Sequence, residues 1–229
     1  MRFLVTGTIN VPPYATLQGE GPRNSIIQMA AGSAASYVVQ TSDSLQQTGA
    51  NIGTNSATPP TSITIENMCF QSVDPMDIAF IDRASDCIFN QVQFVGPLTT
   101  ADLTTSVDDT AAIRWDSTVS LVTKQVSWTN CTFSGFTYGT ATDEQVQGIT
   151  VMNCSFDTLY QGVYLGGATP VNGGPTGFRI MHNKFDNIYV EGVAINNVSL
   201  NATGYNIFYD VGNHFQGVTI PSSSIISID

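Results

Sequence analysis

The sequence predicts an all-β chain folded as a right-handed single-stranded parallel β-helix of about six to eight coils with long loops. Three observations predict this fold. A short motif (apolar, x, apolar, x, Asn-like, apolar, x, Phe) recurs along the chain, and a second apolar segment follows each copy. Charged residues make up 11% of the composition, against roughly 25% in an average globular domain. The motif copies end at Phe70, Phe94, Phe133, Phe156, Phe185 and, in a distorted copy, Phe215.

Alignment of the copies on their phenylalanines produces columns of apolar residues. The phenylalanines are 24, 39, 23, 29 and 30 residues apart, which fits one coil of a solenoid whose loops vary in length. Alternate residues of a strand share a face, so three columns are predicted to point inward. They are Ile63, Cys87, Val126, Ile149 and Phe178; Ile65, Phe89, Trp128, Val151 and Ile180; and Met68, Val92, Cys131, Cys154 and Asn183. The residues just before each Phe are predicted to face outward: Cys69, Gln93, Thr132, Ser155 and Lys184.

A column of mostly Asn residues separates the two halves of the motif. Asn adopts left-handed backbone angles more readily than most residues and can hydrogen-bond its own main chain. The column therefore predicts a corner that recurs in every coil. Its members are Asn67, Gln91, Asn130, Asn153 and His182. Asn130 and Asn153 also begin glycosylation sequons, as do Asn197 and Asn201, but the corner role explains the first two without glycosylation.

A second strand is predicted after each phenylalanine, with apolar residues on either side of a variable middle position. This is an inside-outside-inside pattern, and consecutive coils would pair these strands in parallel about 4.8 Å apart. The predicted segments are 78–80, 113–115, 136–138, 163–165, 193–195 and 218–220. Trp128 and Trp115 fall at inward positions, so both are predicted to be core residues and not sugar platforms.

Length and charge limit the classes of function. The 229 residues are predicted to form one domain, because a solenoid core grows along its axis. The net charge of −11 disfavours nucleic acid and anionic lipid as partners. No apolar run has transmembrane length, and residues 1–5 are too short for a signal peptide. The open ends of the predicted solenoid favour a segment of a longer protein or a subunit capped by its neighbours.

The four cysteines and two histidines lack metal-ligand spacing, so no metal and no cofactor are predicted. Cys87, Cys131 and Cys154 lie in inward columns, which favours packed free thiols. Cys131 and Cys154 share a column in adjacent coils, so a disulfide between them stays open at this point.

The segment from Gly7 to Gly21, followed by Ser25-Ile26-Ile27-Gln28, contains a strand, a Pro turn and a Leu-x-Gly-x-Gly stretch. It resembles the opening coils of pectate-lyase-like β-helix proteins, and the coil pattern extends that resemblance over nearly the whole chain. At the other end, residues 224–229 resemble a further strand.

The resemblance implies a fold more strongly than an activity, and four classes of function compete. The first is a bacteriophage virion component, since the chain resembles tailspikes and tail fibres, which are commonly trimers that recognise host-surface glycans. The others are a secreted polysaccharide lyase or glycoside hydrolase, a carbohydrate-epimerase-like enzyme, and a passive adhesin or spacer. The pectin hydrolases of this superfamily carry Asn-Thr-Asp, Asp-Asp, Gly-His-Gly and Arg-Ile-Lys motifs. Here only Asp108-Asp109 and a partial Arg179-Ile180-Met181 are present.

One group of residues is a candidate glycan-binding site. Asp108 and Asp109 close the longest insertion, residues 95–110, just before the strand that carries outward Arg114. Asp143 and Glu144 occupy the loop of the next coil, and Tyr164 is predicted to follow Arg114 in the outward column. Carboxylates, a guanidinium and an aromatic ring together would suit a sugar; alternatively the carboxylates are only turn and loop-tip residues.

The favoured expectation is a virion protein of tailspike or tail-fibre type, exposed on the tail. Its expected partners are a host-surface polysaccharide and other virion subunits, in a homotrimer. A secreted glycan-degrading enzyme is the alternative, and catalysis is the less favoured of the two because nothing in the sequence raises a carboxyl pKa.

Overall fold

The computed structural model describes residues 1–41, 61–82, 84–105, 109–116, 123–142, 146–165, 177–195, 214–216 and 226–228. These residues are nearly all β, and their strands form one curled sheet with parallel pairing throughout. Within these ranges no helix has the length and apolar character needed to cross a membrane. The curled parallel sheet is compatible with the predicted β-helix.

The strands and the single helix of the described ranges follow in chain order. They are β1 (Arg2–Val5), β2 (Ile9–Val11), β3 (Thr16–Gln18), β4 (Ile26–Met29), β5 (Tyr37–Thr41), β6 (Thr61–Gln71), β7 (Asp77–Asp82), β8 (Ser85–Val95), α1 (Thr100–Thr105), β9 (Ala111–Asp116), β10 (Thr123–Thr129), β11 (Thr132–Thr142), β12 (Val146–Gln147), β13 (Thr150–Met152), β14 (Ser155–Leu165), β15 (Arg179–Met181), β16 (Lys184–Ile195), β17 (His214–Gln216) and β18 (Ile226–Ile228). Strand β4 confirms the apolar strand expected after the Gly-rich segment, and β18 confirms the strand expected at the end of the chain.

The chain bends at three columns of left-handed residues, which divide the sheet into three faces. The φ angle lies between 52° and 78° in all three columns. The first corner consists of Ser62, Asp86, Gln125, Gly148 and Gly177; the second of Asn67, Gln91, Asn130, Asn153 and His182; the third of Gly135, Thr158 and Asn187. The second corner is the predicted one and is confirmed at every position.

The first face lies between the first and second corners, and the second face carries the motif phenylalanines. The third face consists of β2, β5, β7, β9, β18 and the C-terminal parts of β11, β14 and β16. On the second face β1, β4, β6, β8, β11, β14, β16 and β17 pair one after another. We call one passage of the chain over the faces a repeat.

The predicted register is confirmed on the first two faces. Phe70 pairs with Phe94, and the pairing continues through Phe133, Phe156 and Phe185 to Phe215. On the first face Phe89, Trp128, Val151 and Ile180 are in register. All fifteen side chains of the three predicted inward columns are buried. Trp115 and Trp128 are also buried, with ring centroids 4.3 Å apart.

The motif phenylalanines form a ladder through the core. Ring centroids are 6.1 Å apart between Phe70 and Phe94, 5.1 Å between Phe94 and Phe133, 4.6 Å between Phe133 and Phe156, and 4.8 Å between Phe156 and Phe185. The rings of the last three pairs are almost parallel, within 8°. Stacking close to the strand spacing lets each ring fill the space beside the next one.

Glycines on the third face make room for this ladder. A Cβ on Gly162 would lie 2.4 Å from the carbonyl oxygen of Gly192 and 2.7 Å from the ring of Phe185. A Cβ on Gly139 would lie 2.5 Å from the carbonyl oxygen of Gly162 and 2.7 Å from the ring of Phe156. A larger residue at either position would push the third face away from the rings.

The bend at the second corner leaves main-chain carbonyls to be satisfied, and three side chains of the third inward column do this. Cys131 Sγ donates to the carbonyl of Phe89, and Cys154 Sγ donates to that of Trp128, both at 3.5 Å. One repeat later Asn183 donates from Nδ2 to the carbonyl of Val151 at 3.0 Å. Its Oδ1 accepts from the Cys154 N–H at 2.9 Å. This explains how a polar Asn that is 1% exposed occupies a core column.

All four cysteines are buried free thiols. Burial raises the pKa of Cys69 to about 11 and that of Cys87 to about 12. Burial, together with the neighbouring Cys154 thiol, also raises the pKa of Cys131. The prediction of packed thiols is confirmed, and the Cys131–Cys154 disulfide left open by the sequence is not formed in this structure.

Some predictions on the outward positions were wrong. Cys69 was expected outside but is 4% exposed, because it lies in register between the longer side chains of Ile26 and Gln93.

The insertion of residues 95–110 was expected to be a loop, and it contains α1. Thr99 precedes this helix, and its amide N–H and its hydroxyl both donate to Asp102 Oδ2 at 2.7 Å. The predicted strand 218–220 lies outside the described residues.

We expect Phe133→Ala to lower the free energy of unfolding by about 3–5 kcal/mol, because it removes a ring between two stacked neighbours and leaves a cavity. Chemical denaturation monitored by circular dichroism would measure the change. Val73→Ala, at a 42% exposed side chain, should change stability by less than about 0.5 kcal/mol. A similar effect of the two substitutions would contradict the ladder as the main packing element.

Asn183→Leu keeps the side-chain volume but leaves the Val151 carbonyl and the Cys154 N–H unpaired. We expect it to lower the free energy of unfolding by about 1–3 kcal/mol or more. Asn183→Cys should lie between wild type and Asn183→Leu, because a thiol there can still donate to the Val151 carbonyl as Cys154 does to Trp128. The same denaturation experiment gives the order, and an Asn183→Leu variant as stable as wild type would refute this role.

Candidate functional site

The predicted site residues that the structure describes lie on the third face. Register along this face aligns Gln40, Phe80, Arg114, Ala141, Tyr164 and Ala194 as one outward column. Arg114 and Tyr164 therefore share a column as predicted, but they are not adjacent. Ala141 lies between them, so the two positions are two strand spacings, or about 9.6 Å, apart.

A strand between these two was predicted, but with the wrong residues. Residues 136–138 were predicted as this third-face strand, but Thr140, Ala141 and Thr142 pair with Ile113, Arg114 and Trp115. Thr140 and Thr142 point into the core and are fully buried. Polar residues at inward positions do not show the apolar pattern of a strand, so the apolar segment 136–138 was predicted as the third-face strand.

Phe80 was also misassigned. It was predicted to lie inward beside Trp115, but it pairs with Arg114, and Ile81 pairs with Trp115. Phe80 is half-buried on the outer surface, where it stacks on Tyr37 with centroids 4.6 Å apart and ring planes 12° from parallel. The aromatic ring thus belongs to the candidate site and not to the core.

Arg114 is the centre of an ion-pair cluster. Its Nε donates to Asp77 Oδ2 at 2.7 Å, and its Nη2 donates to both the carbonyl oxygen and Oδ1 of Asp109 at 3.0 Å. The second oxygen of Asp77 accepts the N–H of Ala111 at 2.7 Å. The Asp77 and Arg114 side chains are only 12% and 20% exposed, whereas Asp109 is 76% exposed. The cluster therefore fixes Arg114 firmly and presents the Asp109 carboxylate to solvent.

Burial and the neighbouring charges act in opposite directions on the pKa values of Asp77 and Arg114. Burial raises the pKa of Asp77, and the hydrogen bond and charge of Arg114 offset part of that rise. For Arg114, burial lowers the pKa, but the hydrogen bonds and charges of Asp77 and Asp109 outweigh it and the net change is upward. Both effects follow from a charge pair that is partly removed from water.

Aromatic pairs continue the surface on the next repeats. Tyr138 contacts Tyr164 with centroids 5.3 Å apart, and Tyr160 contacts Tyr189 at 5.5 Å. All four rings are half-buried. Between the pairs, Gln161 Nε2 donates to Glu191 Oε2 at 2.6 Å. Half-exposed rings beside paired polar groups suit ligands that have both apolar and hydroxylated surfaces.

Three predicted site residues, Asp108, Asp143 and Glu144, lie outside the described residues. The sequence predicted Asp109, Arg114 and Tyr164 as site residues but did not single out Asp77, which contacts Arg114, or Tyr138, which contacts Tyr164. Asp77 could have been singled out because it is the first residue of β7, and Asp109 lies two residues before the neighbouring strand β9. Tyr138 was assigned to a core strand and so was not considered.

Other chemistry on the described ranges is sparse. No group of three or more His, Cys, Asp or Glu side chains there could hold a metal ion. His182 is an exposed corner residue with φ 55°. No protein-family model matches the chain, and no curated protein matches it.

The Arg114→Met substitution removes the guanidinium that offsets the unfavourable burial of the Asp77 carboxylate. In Arg114→Met we expect a higher pKa for Asp77, because burial would act without the opposing charge. The loss of stability should be larger at pH 7, where Asp77 must be ionised and unpaired, than at pH 4, where it can hold a proton. Carboxyl-carbon NMR titration and denaturation at the two pH values would measure both effects. Arg179→Met, at an exposed arginine, is the control; an equal loss at both pH values would contradict the ion-pair role.

Proposed function

We propose that this chain is a right-handed parallel β-helix of pectate-lyase-like type that recognises a host-surface glycan as a bacteriophage virion protein of tailspike or tail-fibre type. The curled parallel sheet and the in-register phenylalanine ladder support the fold. The glycan function is supported by one observation above all: aromatic pairs and an ion-pair cluster follow one another across the repeats of the third face.

The arrangement of these groups fits an extended ligand. Neighbouring strands are about 4.8 Å apart. Tyr37, Arg114 and Tyr164 lie on every second strand of the third face, so ring, guanidinium and ring follow one another at heights about 9.6 Å apart. A polysaccharide offers apolar ring faces and hydroxyl groups in a similar repeating order. Sugar rings would pack on the half-exposed aromatics, while Asp109 and Gln161 supply acceptors and donors.

Binding fits the geometry better than catalysis does. A glycoside hydrolase needs two carboxyl groups about 5–10 Å apart, one of which donates a proton. Both oxygens of Asp77 are already hydrogen-bonded, one to Arg114 and the other to the Ala111 N–H. A carboxylate that is paired in this way holds the Arg114 side chain in position and is a poor proton donor.

The wider assignment rests on fold analogy. As a tail protein the chain would be exposed on the virion, would assemble with other virion subunits, and would form a homotrimer. A secreted polysaccharide lyase or glycoside hydrolase is the second candidate. It is favoured by one feature, the exposed Asp109 carboxylate beside a guanidinium.

Wild-type protein is expected to bind capsular polysaccharide or lipopolysaccharide from its host without cleaving it. Tyr138→Ala and Tyr164→Ala should each weaken binding by roughly tenfold, because each removes one ring from the third face. Tyr14→Ala removes a tyrosine that is 79% exposed on the first-corner side and should leave binding unchanged. Biolayer interferometry on immobilised polysaccharide would measure the affinities.

Two results would overturn this proposal. Release of new reducing ends or unsaturated sugars that disappears in Asp109→Ala and Glu144→Ala would establish the enzyme instead. A monodisperse monomer in analytical ultracentrifugation would contradict the trimeric tail assignment while leaving glycan binding to be judged by the tyrosine variants.

A further inference from the structure

A cleft of about 710 Å³ lies along the second corner, away from the third face. We propose that this cleft binds an acidic oligosaccharide, meaning a sugar chain that carries a carboxylate. Its wall is the turn of residues 21–24, and its floor is formed by Asn67, Gln91, Gln93 and Asn130 with the neighbouring Thr132. This second site involves none of the third-face residues, so it does not depend on the function proposed above.

The wall of the cleft is held in place by the sheet. Gly21 N–H donates to the carbonyl of Asn67 at 2.8 Å, and the Asn24 and Ser25 N–H groups both donate back to the Gly21 carbonyl at 2.9 Å. The N-terminal ammonium also contacts the carbonyl of Asn24. A ligand would therefore enter a site that is already formed and would not have to order the turn.

Charge distinguishes this cleft from the rest of the molecule. The chain has 18 acidic and 7 basic residues, yet no acidic side chain is among the described residues that line the cleft. Arg23 is the one charged residue of the lining, it is exposed, and it makes no ion pair within the described ranges. An unpaired guanidinium offers parallel N–H donors that match the two oxygens of a carboxylate.

The floor supplies the groups that recognise hydroxyls. The side chains of Asn67, Gln91 and Gln93 make no hydrogen bond within the described part of the chain. Each amide has two N–H donors and one acceptor oxygen, so each can pair with sugar hydroxyls in either direction. Asn130 is already oriented, because its Nδ2 donates to Asn90 Oδ1 at 3.0 Å.

The corner geometry sets the length of the site. Asn67, Gln91 and Asn130 occupy the same left-handed position in three successive repeats, which places them about 4.8 Å apart along the sheet. Three amides in a row extend over roughly 10 Å, which is longer than one sugar ring. The cleft therefore suits an oligosaccharide better than a small carboxylic acid.

The direct test titrates the full chain with trigalacturonic acid and with the neutral galactose trisaccharide, using isothermal titration calorimetry. We expect the acidic trisaccharide to bind about tenfold more tightly. Its affinity should fall as NaCl is raised from about 50 mM to about 500 mM, because salt screens an exposed charge pair.

Matched variants assign the binding to the cleft. Arg23→Gln should remove the preference for the acidic sugar, and Gln91→Ala should weaken both sugars. Arg179→Gln changes an exposed arginine on the first face and should have no effect. Tyr138→Ala and Tyr164→Ala should also have no effect here, so failure of this site and failure of the third-face site can be told apart.

Three outcomes would overturn the proposal. The first is the absence of saturable binding by the acidic trisaccharide. The second is an equal loss of affinity in Arg23→Gln and Arg179→Gln. The third is displacement by inorganic phosphate at the concentration of the sugar, which would indicate a simple anion site that does not recognise the carbohydrate.

Discussion

Stacking of identical positions in register is the constraint on which the rest of this structure depends. The motif phenylalanines from Phe70 to Phe185 pack on one another from repeat to repeat, and the rings of Phe156 and Phe185 each require a glycine on the third face beside them. Because the strands are parallel, one register serves all residues of a face. The ladder therefore fixes the height of every outward side chain, including those of the candidate site.

The same register also solves the hydrogen-bonding problem of a sheet that bends sharply. At the second corner a left-handed residue breaks the regular ladder, and in three repeats an inward polar or thiol side chain pairs with a carbonyl of the preceding repeat. Cys131, Cys154 and Asn183 are interchangeable in this respect although they differ in polarity. Burial of a polar group costs little where its partner is supplied at the same position in every repeat.

The first and second faces could be predicted from sequence because their inward columns are apolar and their corner is rich in Asn. The third face could be predicted only in part. Thr140 and Thr142 are polar yet buried, so the register of that repeat was placed four residues too early, and Tyr138 was missed. The sequence placed Asp109 and Arg114 in one candidate site but did not predict their ion pair, and the second partner of Arg114, Asp77, comes from a different repeat 37 residues away. Contacts between repeats depend on register, and register is weakest where the inward pattern is not apolar.

The regular spacing of the corners has a consequence for how such a chain can evolve. The first and second corners are five residues apart in every repeat, from Ser62 and Asn67 to Gly177 and His182. Adding or deleting one residue there would reverse which side of the sheet all following side chains occupy. The repeats differ in length in the connections between the third face and the next first corner, in the stretch that holds α1, and at a β-bulge where β16 has one residue more than β14. New specificities can arise by exchanging these connections, while the faces themselves can change only one side chain at a time.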